Sequence, residues 1–240
     1  MAITRTIHMH DGPGGPFESM AVGDADAGLQ PAILLFPNFF GTKEWDFAKA
    51  EELASLGYKV LVVDYYGQGK RGTDMESSGK LLQDFMADRT VVRRRVLDAL
   101  AELKALPGVD ASRLGAIGFC AGGKCVLDLA RAGGDILAGV SFHGVYDPPP
   151  FASAPITAKL LICDGWNDKL NPPEAKVALC EELTAADVDW QFTAYSRTGH
   201  GFTANGTPLN ADRSFGYQPD TDRRSWTAMR AFFNEVLQVR

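Results

Sequence analysis

The sequence predicts an α/β fold with a mostly parallel central sheet flanked by helices on both faces, and three observations carry that reading. Short apolar runs of strand type recur between longer segments whose apolar residues fall at helical spacing. The runs at 31–36, 58–64, 113–119, 137–143 and 158–164 are dense in Val, Ile, Leu and Phe, as strands buried on both faces are. Between two of them stands a glycine-rich strand-to-helix turn, Gly118-Phe119-Cys120-Ala121-Gly122-Gly123.

The elements follow in order. Residues 3–10 and 17–23 read as a β-hairpin around a Gly- and Pro-rich turn at 11–16. A central strand at 31–36 leads into a helix at 43–56, which Gly57 ends. After the strand at 58–64 comes a polar, Gly-rich stretch, 65–80, whose length suggests a functional rim. Residues 81–106 read as one helix, with Val92, Val96, Leu100 and Leu103 on a common face. The glycine-rich turn leads into a helix at 124–131, a strand at 137–143 and a Pro-rich connection at 148–155. The strand at 158–164, a helix at 172–185, a last strand at 188–195 and a final helix at 221–239 complete the pattern. Residues 1–240 read as one α/β domain without repeats, a common length for a single core.

Composition excludes several classes of function. The formal net charge of −6 argues against a nucleic-acid partner. The N-terminal segment lacks the apolar region of a signal peptide, and no run approaches the roughly 18 apolar residues of a membrane span. Cys120, Cys125, Cys163 and Cys180 show neither metal-ligand nor disulfide spacing, so a reducing cytoplasm is expected and no metal or cofactor is. No obligate protein partner is evident.

The turn around Cys120 has the form of the nucleophile elbow of α/β-hydrolases, with cysteine in the place of serine. Small flanking residues let the backbone turn sharply, and the helix N-terminus behind Cys120 favours a thiolate. A Gly-rich turn of this kind also suits phosphate binding, but partners follow it downstream in the order nucleophile, acid, histidine. Asp168 lies in the loop after the strand at 158–164, and His200 lies after the last strand. Such a trio divides the work of acyl transfer. Cys120 attacks, His200 moves the proton, and Asp168 fixes the imidazole tautomer. Backbone N–H groups of Phe39 and Ala121 are the expected oxyanion donors, each worth about 3 kcal/mol in such sites.

On these residues the chain resembles the dienelactone hydrolase family. The elbow, Asp64-Tyr65-Tyr66-Gly67-Gln68-Gly69, the Gly165-to-Asp168 loop and Gly199-His200-Gly201-Phe202 carry the resemblance, with Gly216-Tyr217 and the segment 222–226 near the end. It implies an α/β-hydrolase fold and a small-molecule ester or lactone substrate. Two departures argue against dienelactone itself. Where the family carries a glutamate that helps deprotonate the cysteine, this chain has Asn38, an amide that cannot act as a base. Where the family places a substrate-carboxylate arginine after the histidine, the chain reads Thr203-Ala204-Asn205. Neutral, activated esters are therefore expected, with phosphotriesters as an alternative and a non-catalytic ligand-binding relative as another.

Further candidates keep two readings. Asp164 competes with Asp168 as the acid, and Cys125 with packing as a redox partner of Cys120. Asn38, Phe40, Tyr65, Trp166, His143 and Arg71 are candidate pocket residues, any of which could instead be core, and Arg89 is a further possible substrate contact. His8 and His10 are expected at the surface, and Arg93-Arg94-Arg95 on a solvated helix face.

Overall fold

A computed structural model describes residues 2–238. The expected mostly parallel sheet is present. Among the described residues it has eight strands: β1 (Ile3–His10), β2 (Phe17–Asp24), β3 (Gln30–Phe36), β4 (Lys59–Val62), β5 (Val109–Phe119), β6 (Ala138–Phe142), β7 (Lys159–Gly165) and β8 (Trp190–Tyr195). Their order across the sheet is β1-β2-β4-β3-β5-β6-β7-β8. The hairpin β1–β2 is antiparallel and β2 joins β4 antiparallel, while every later pairing is parallel.

Strand alternation divides the core between the two faces. Leu34, Leu61 and Leu114 point into one layer, with Val96 and Leu103 of α3 (Arg89–Ala105), Leu129 of α4 (Ala121–Arg131) and Leu179 of α5 (Pro173–Ala185). Ile33, Leu35, Val60 and Ile117 point into the other, with Leu53 of α1 (Glu44–Ser55) and Met229 and Phe233 of α6 (Pro219–Leu237). Both faces being covered explains why these strands read as unbroken apolar runs. Truncating one of these fully buried leucines to alanine costs about 2–5 kcal/mol in comparable cores.

Several boundaries differ from expectation. The polar stretch is shorter than read, because α2 (Met75–Met86) occupies its end. The single helix expected at 81–106 is two, broken at Ala87-Asp88. Asp74 caps α2 by accepting from Ser77 N at 2.8 Å, and Asp88 caps α3 by accepting from Thr90 N at 2.8 Å. Helix α4 begins at Ala121, not 124, and α6 at Pro219; the expected end of α6 at Val239 lies outside the described residues. His8 and His10 are half-buried under α3, where His8 Nε2 meets Glu102 at 2.8 Å. Arg95 likewise turns inward and donates to Tyr65 O at 2.7 Å, so it is not part of a solvated face.

Helix α4 is buried along its whole length. Its charged side chains are therefore matched one by one. Arg131 donates to Glu182 at 2.8 and 2.7 Å, Asp128 receives Arg89 at 2.7 Å, and Lys124 pairs with Asp147.

Candidate active site

Parallel register brings the strand ends together. Phe36 of β3 lies beside Gly118, Phe119 of β5 beside Phe142, Phe142 beside Cys163, and Gly165 of β7 beside Tyr195. The loops carrying Phe39, Cys120, His143, Asp168 and His200 thus leave the sheet at one edge, the carboxyl ends of its strands, where open α/β sheets place their sites.

The elbow depends on close backbone approach. A Cβ on Gly118 would sit 2.1 Å from Gly122 O, and one on Gly122 would sit 2.1 Å from Phe36 O. Cys120 itself is held at φ 55°, ψ −114°, a conformation that non-glycine residues rarely adopt. Its N–H is anchored to Phe142 O at 3.0 Å, so the strained residue is fixed from the neighbouring strand.

Asp168 and His200 meet at these strand ends. Asp168 Oδ2 lies 2.7 Å from His200 Nδ1, both side chains are buried, and Asp168 Oδ1 accepts from Leu170 N at 2.8 Å. Nε2 of His200, the other ring nitrogen, is buried and makes no hydrogen bond among the described residues. Burial opposes a charge on this ring, but the Cys120 sulfur and the Asp168 carboxylate outweigh it and lift His200 to about 10.

Asp164, the rival acid, faces elsewhere. It forms a buried pair with Lys176, whose ammonium also donates to Gly165 O at 3.1 Å. Burial lifts the Asp164 carboxyl to about 6 despite the attraction of Lys176, with Asp168 adding to the rise.

Of the two expected oxyanion donors, Phe39 lies in the loop between β3 and α1 and Ala121 opens α4. Neither the Phe39 nor the Ala121 N–H has an acceptor among the described residues. Asn38 shapes this loop: its Oδ1 accepts from Phe40 N at 3.0 Å and its carbonyl from Gly41 N at 3.0 Å. Tyr65 Oη donates to Pro37 O and Asn38 O at 3.0 and 2.5 Å, and Tyr66 Oη donates to Phe39 O at 2.9 Å.

Those bonds correct several pocket expectations. Tyr65 is fully buried, an anchor of the loop and not a wall of a pocket. His143 is also buried: Thr203 Oγ1 lies 2.8 Å from its Nε2, and its ring packs nearly perpendicular to His200 at 4.9 Å. Burial and the neighbouring His200 push His143 well below its usual range, so it is held neutral. Trp166 is half exposed and lines a groove between α5 and β8 whose walls include none of Cys120, Asp168 and His200. Arg71 is engaged by Asp64, Gly67 O and Lys70 O, and Arg89 by Asp128 and Asp147, so both cations are already paired with protein carboxylates. Phe40 stays half-buried, under the Lys43 ammonium at 4.0 Å.

Cys125 and Cys163 are fully buried, and burial raises both thiols, that of Cys163 to about 12. All four cysteines are free, and a Cys120–Cys125 redox pair finds no support. Sequence reasoning missed three supports of the histidine. Asn171 reaches Asp168 Oδ2 at 3.4 Å, Ser214 O accepts the His200 N–H at 2.8 Å, and the Phe215 ring stacks on His200 at 6.2 Å. Asn171 lies three residues from Asp168 in the same loop, whereas Ser214 and Phe215 come from a segment that the sequence does not place beside His200.

Known proteins agree with this architecture. The model of the dienelactone hydrolase family matches residues 17–237. A solved structure described as "m3DLH" is 36% identical, covering 98% of this chain and 99% of its own, with a TM-score of 0.90. A dienelactone hydrolase-like promiscuous phosphotriesterase, P91, from metagenomic libraries is 33% identical over 98% of this chain and 99% of its own, also with a TM-score of 0.90. A Caenorhabditis elegans protein, "Uncharacterized protein K02A2.1", is 34% identical over 61% of this chain and 94% of its own. The chain belongs to the dienelactone hydrolase family and is an ester-bond hydrolase.

Proposed function

We propose that the chain hydrolyses neutral, activated carboxylic esters or lactones through a covalent intermediate on Cys120. The observation that carries this reading is the buried Asp168–His200 pair, 2.7 Å apart, whose free Nε2 is under the influence of the Cys120 sulfur. The Cys120 sulfur adds to the carbonyl carbon, and the developing oxyanion takes the N–H groups of Phe39 and Ala121. His200 gives a proton to the departing alkoxide as the tetrahedral species collapses to a thioester. It then takes a proton from water, which attacks the thioester and releases the acid and the thiolate.

Substrate charge follows from the arginines. With Arg71 and Arg89 both committed to protein acceptors, a buried substrate carboxylate would lack a partner, at a cost of several kcal/mol. Turnover of 4-nitrophenyl acetate should show a burst of 4-nitrophenol stoichiometric with enzyme, abolished by iodoacetamide. A methyl ester should outrun its free acid by about tenfold or more in kcat/KM. No burst, with binding alone, would point to a ligand-binding relative.

The phosphotriesterase neighbour favours a second reading, turnover of activated phosphotriesters at the same site. A phosphoryl–sulfur bond is weaker than a phosphoryl–oxygen bond, and thiolate leaves more readily than alkoxide, so a phosphorylated Cys120 can be released by water. Metal-independent, multiple turnover of paraoxon is expected. Cys120→Ser should be phosphorylated once and stall. Stoichiometric inactivation of the parent protein would remove this reading and leave carboxylic esters.

A further inference from the structure

A cavity of 590 Å³ opens beside the segment that holds His200, at the N-terminus of α6. Its lining includes Arg197, Arg213 and Arg224, none of which meets a carboxylate among the described residues. Asp220 is the single acidic residue in that lining, and its Oδ1 is directed to Arg223 at 3.3 Å. Three cations against one anion leave an excess of positive charge on a protein whose net charge is −6.

The helix end adds donors. Gln218 stands at the N-cap position without capping through its side chain, and the N–H groups of Asp220 and Thr221 have no acceptor among the described residues. These N–H groups and the helix dipole both favour an anion. Gln218 is 6% exposed; its Oε1 receives Arg213 Nη2 at 2.6 Å, while its Nε2, another donor, is buried without a partner. That donor is enclosed in the wall, so the guanidinium groups and the helix N-terminus are what the cavity offers an anion.

We propose that this cavity binds a phosphate group, free or esterified, at a site separate from Cys120. The excess of two positive charges suits a dianion better than a carboxylate, and guanidinium forks pair well with phosphate oxygens. Leu209 and Tyr217 give the cavity walls for an organic substituent. The site is joined to the histidine through both arms of its loop. Arg197 lies three residues before His200, Arg213 Nε donates to Arg197 O at 2.9 Å, and Ser214, next in the chain, accepts the His200 N–H at 2.8 Å. Phosphate held there draws these arms together. The assignment does not rest on the chemistry proposed for Cys120.

Titration calorimetry of the full chain with inorganic phosphate and with phenyl phosphate, at low ionic strength, tests the site. Saturable binding is expected, unchanged when Cys120 has been alkylated. Arg197→Gln and Arg224→Gln should each weaken it at least fivefold. Neither side chain makes an ion pair or hydrogen bond among the described residues, so folding is not at stake. Phenyl phosphate binding at least as tightly as phosphate assigns the site to esters, and tighter binding of the free ion assigns it to phosphate. Absence of saturable binding overturns the proposal. So does binding that is lost on alkylation and indifferent to both arginine variants.

Discussion

His200→Ala is expected to abolish ester turnover and to slow alkylation of Cys120 at neutral pH by orders of magnitude. In the proposed mechanism no other described residue replaces the ring as base, because Asn38 stands where a carboxylate could have served and its Oδ1 is occupied by Phe40 N. His143 cannot substitute for it. That imidazole is buried, held neutral and bonded to Thr203. Loss of a triad base typically costs about 10⁶ in kcat, leaving the 10³–10⁴ over water that oxyanion donors and binding supply. Single-turnover alkylation with iodoacetamide at pH 7, parent against variant, is the measurement. Equal rates would mean that another group activates the thiol.

Asp168→Asn should lower kcat by roughly 10⁴, since an amide at Nδ1 permits the wrong tautomer and cannot balance an imidazolium. The matching variant, Asp164→Asn, is expected to change kcat by less than about tenfold. It should instead lower the urea midpoint, because it leaves the Lys176 ammonium buried without its carboxylate, a change that costs about 3–5 kcal/mol in comparable pairs. Steady-state kinetics and urea unfolding on both variants separate the two carboxylates. The reverse pattern would make Asp164 the acid.

The strands and the order of the trio were legible in the sequence because each depends on local signals. Runs buried on both faces are continuous in the chain, and Cys120, Asp168 and His200 each follow a strand. The break at Ala87-Asp88 was concealed by apolar spacing that continues from α2 into α3, although Asp74 with Ser77 and Asp88 with Thr90 were readable caps. Pocket residues were the least legible. Tyr65, His143 and Arg71 are types that suit a binding wall, but the loops fold them inward to bond Asn38 O, Thr203 and Asp64. Which way a loop side chain turns is decided by distant segments, and no periodicity records it.

The burial of α4 bears on how this protein can change over evolutionary time. The helix that follows Cys120 has no solvent-facing side on which a charge could be gained or lost freely. Replacing Arg131 takes a cation from buried Asp128 and from Glu182, and replacing Asp128 leaves Arg89 only Asp147 and buried Arg131 only Glu182, so each such step weakens the fold. Drift at these sites is therefore expected in compensated pairs, acid with base, drawn from different elements. New substrate preferences can arise more readily in the half-buried residues of the β3–α1 loop, such as Phe39 and Phe40, whose side chains carry no such debts. The platform under Cys120 is thereby slow to vary, while its rim is open to selection.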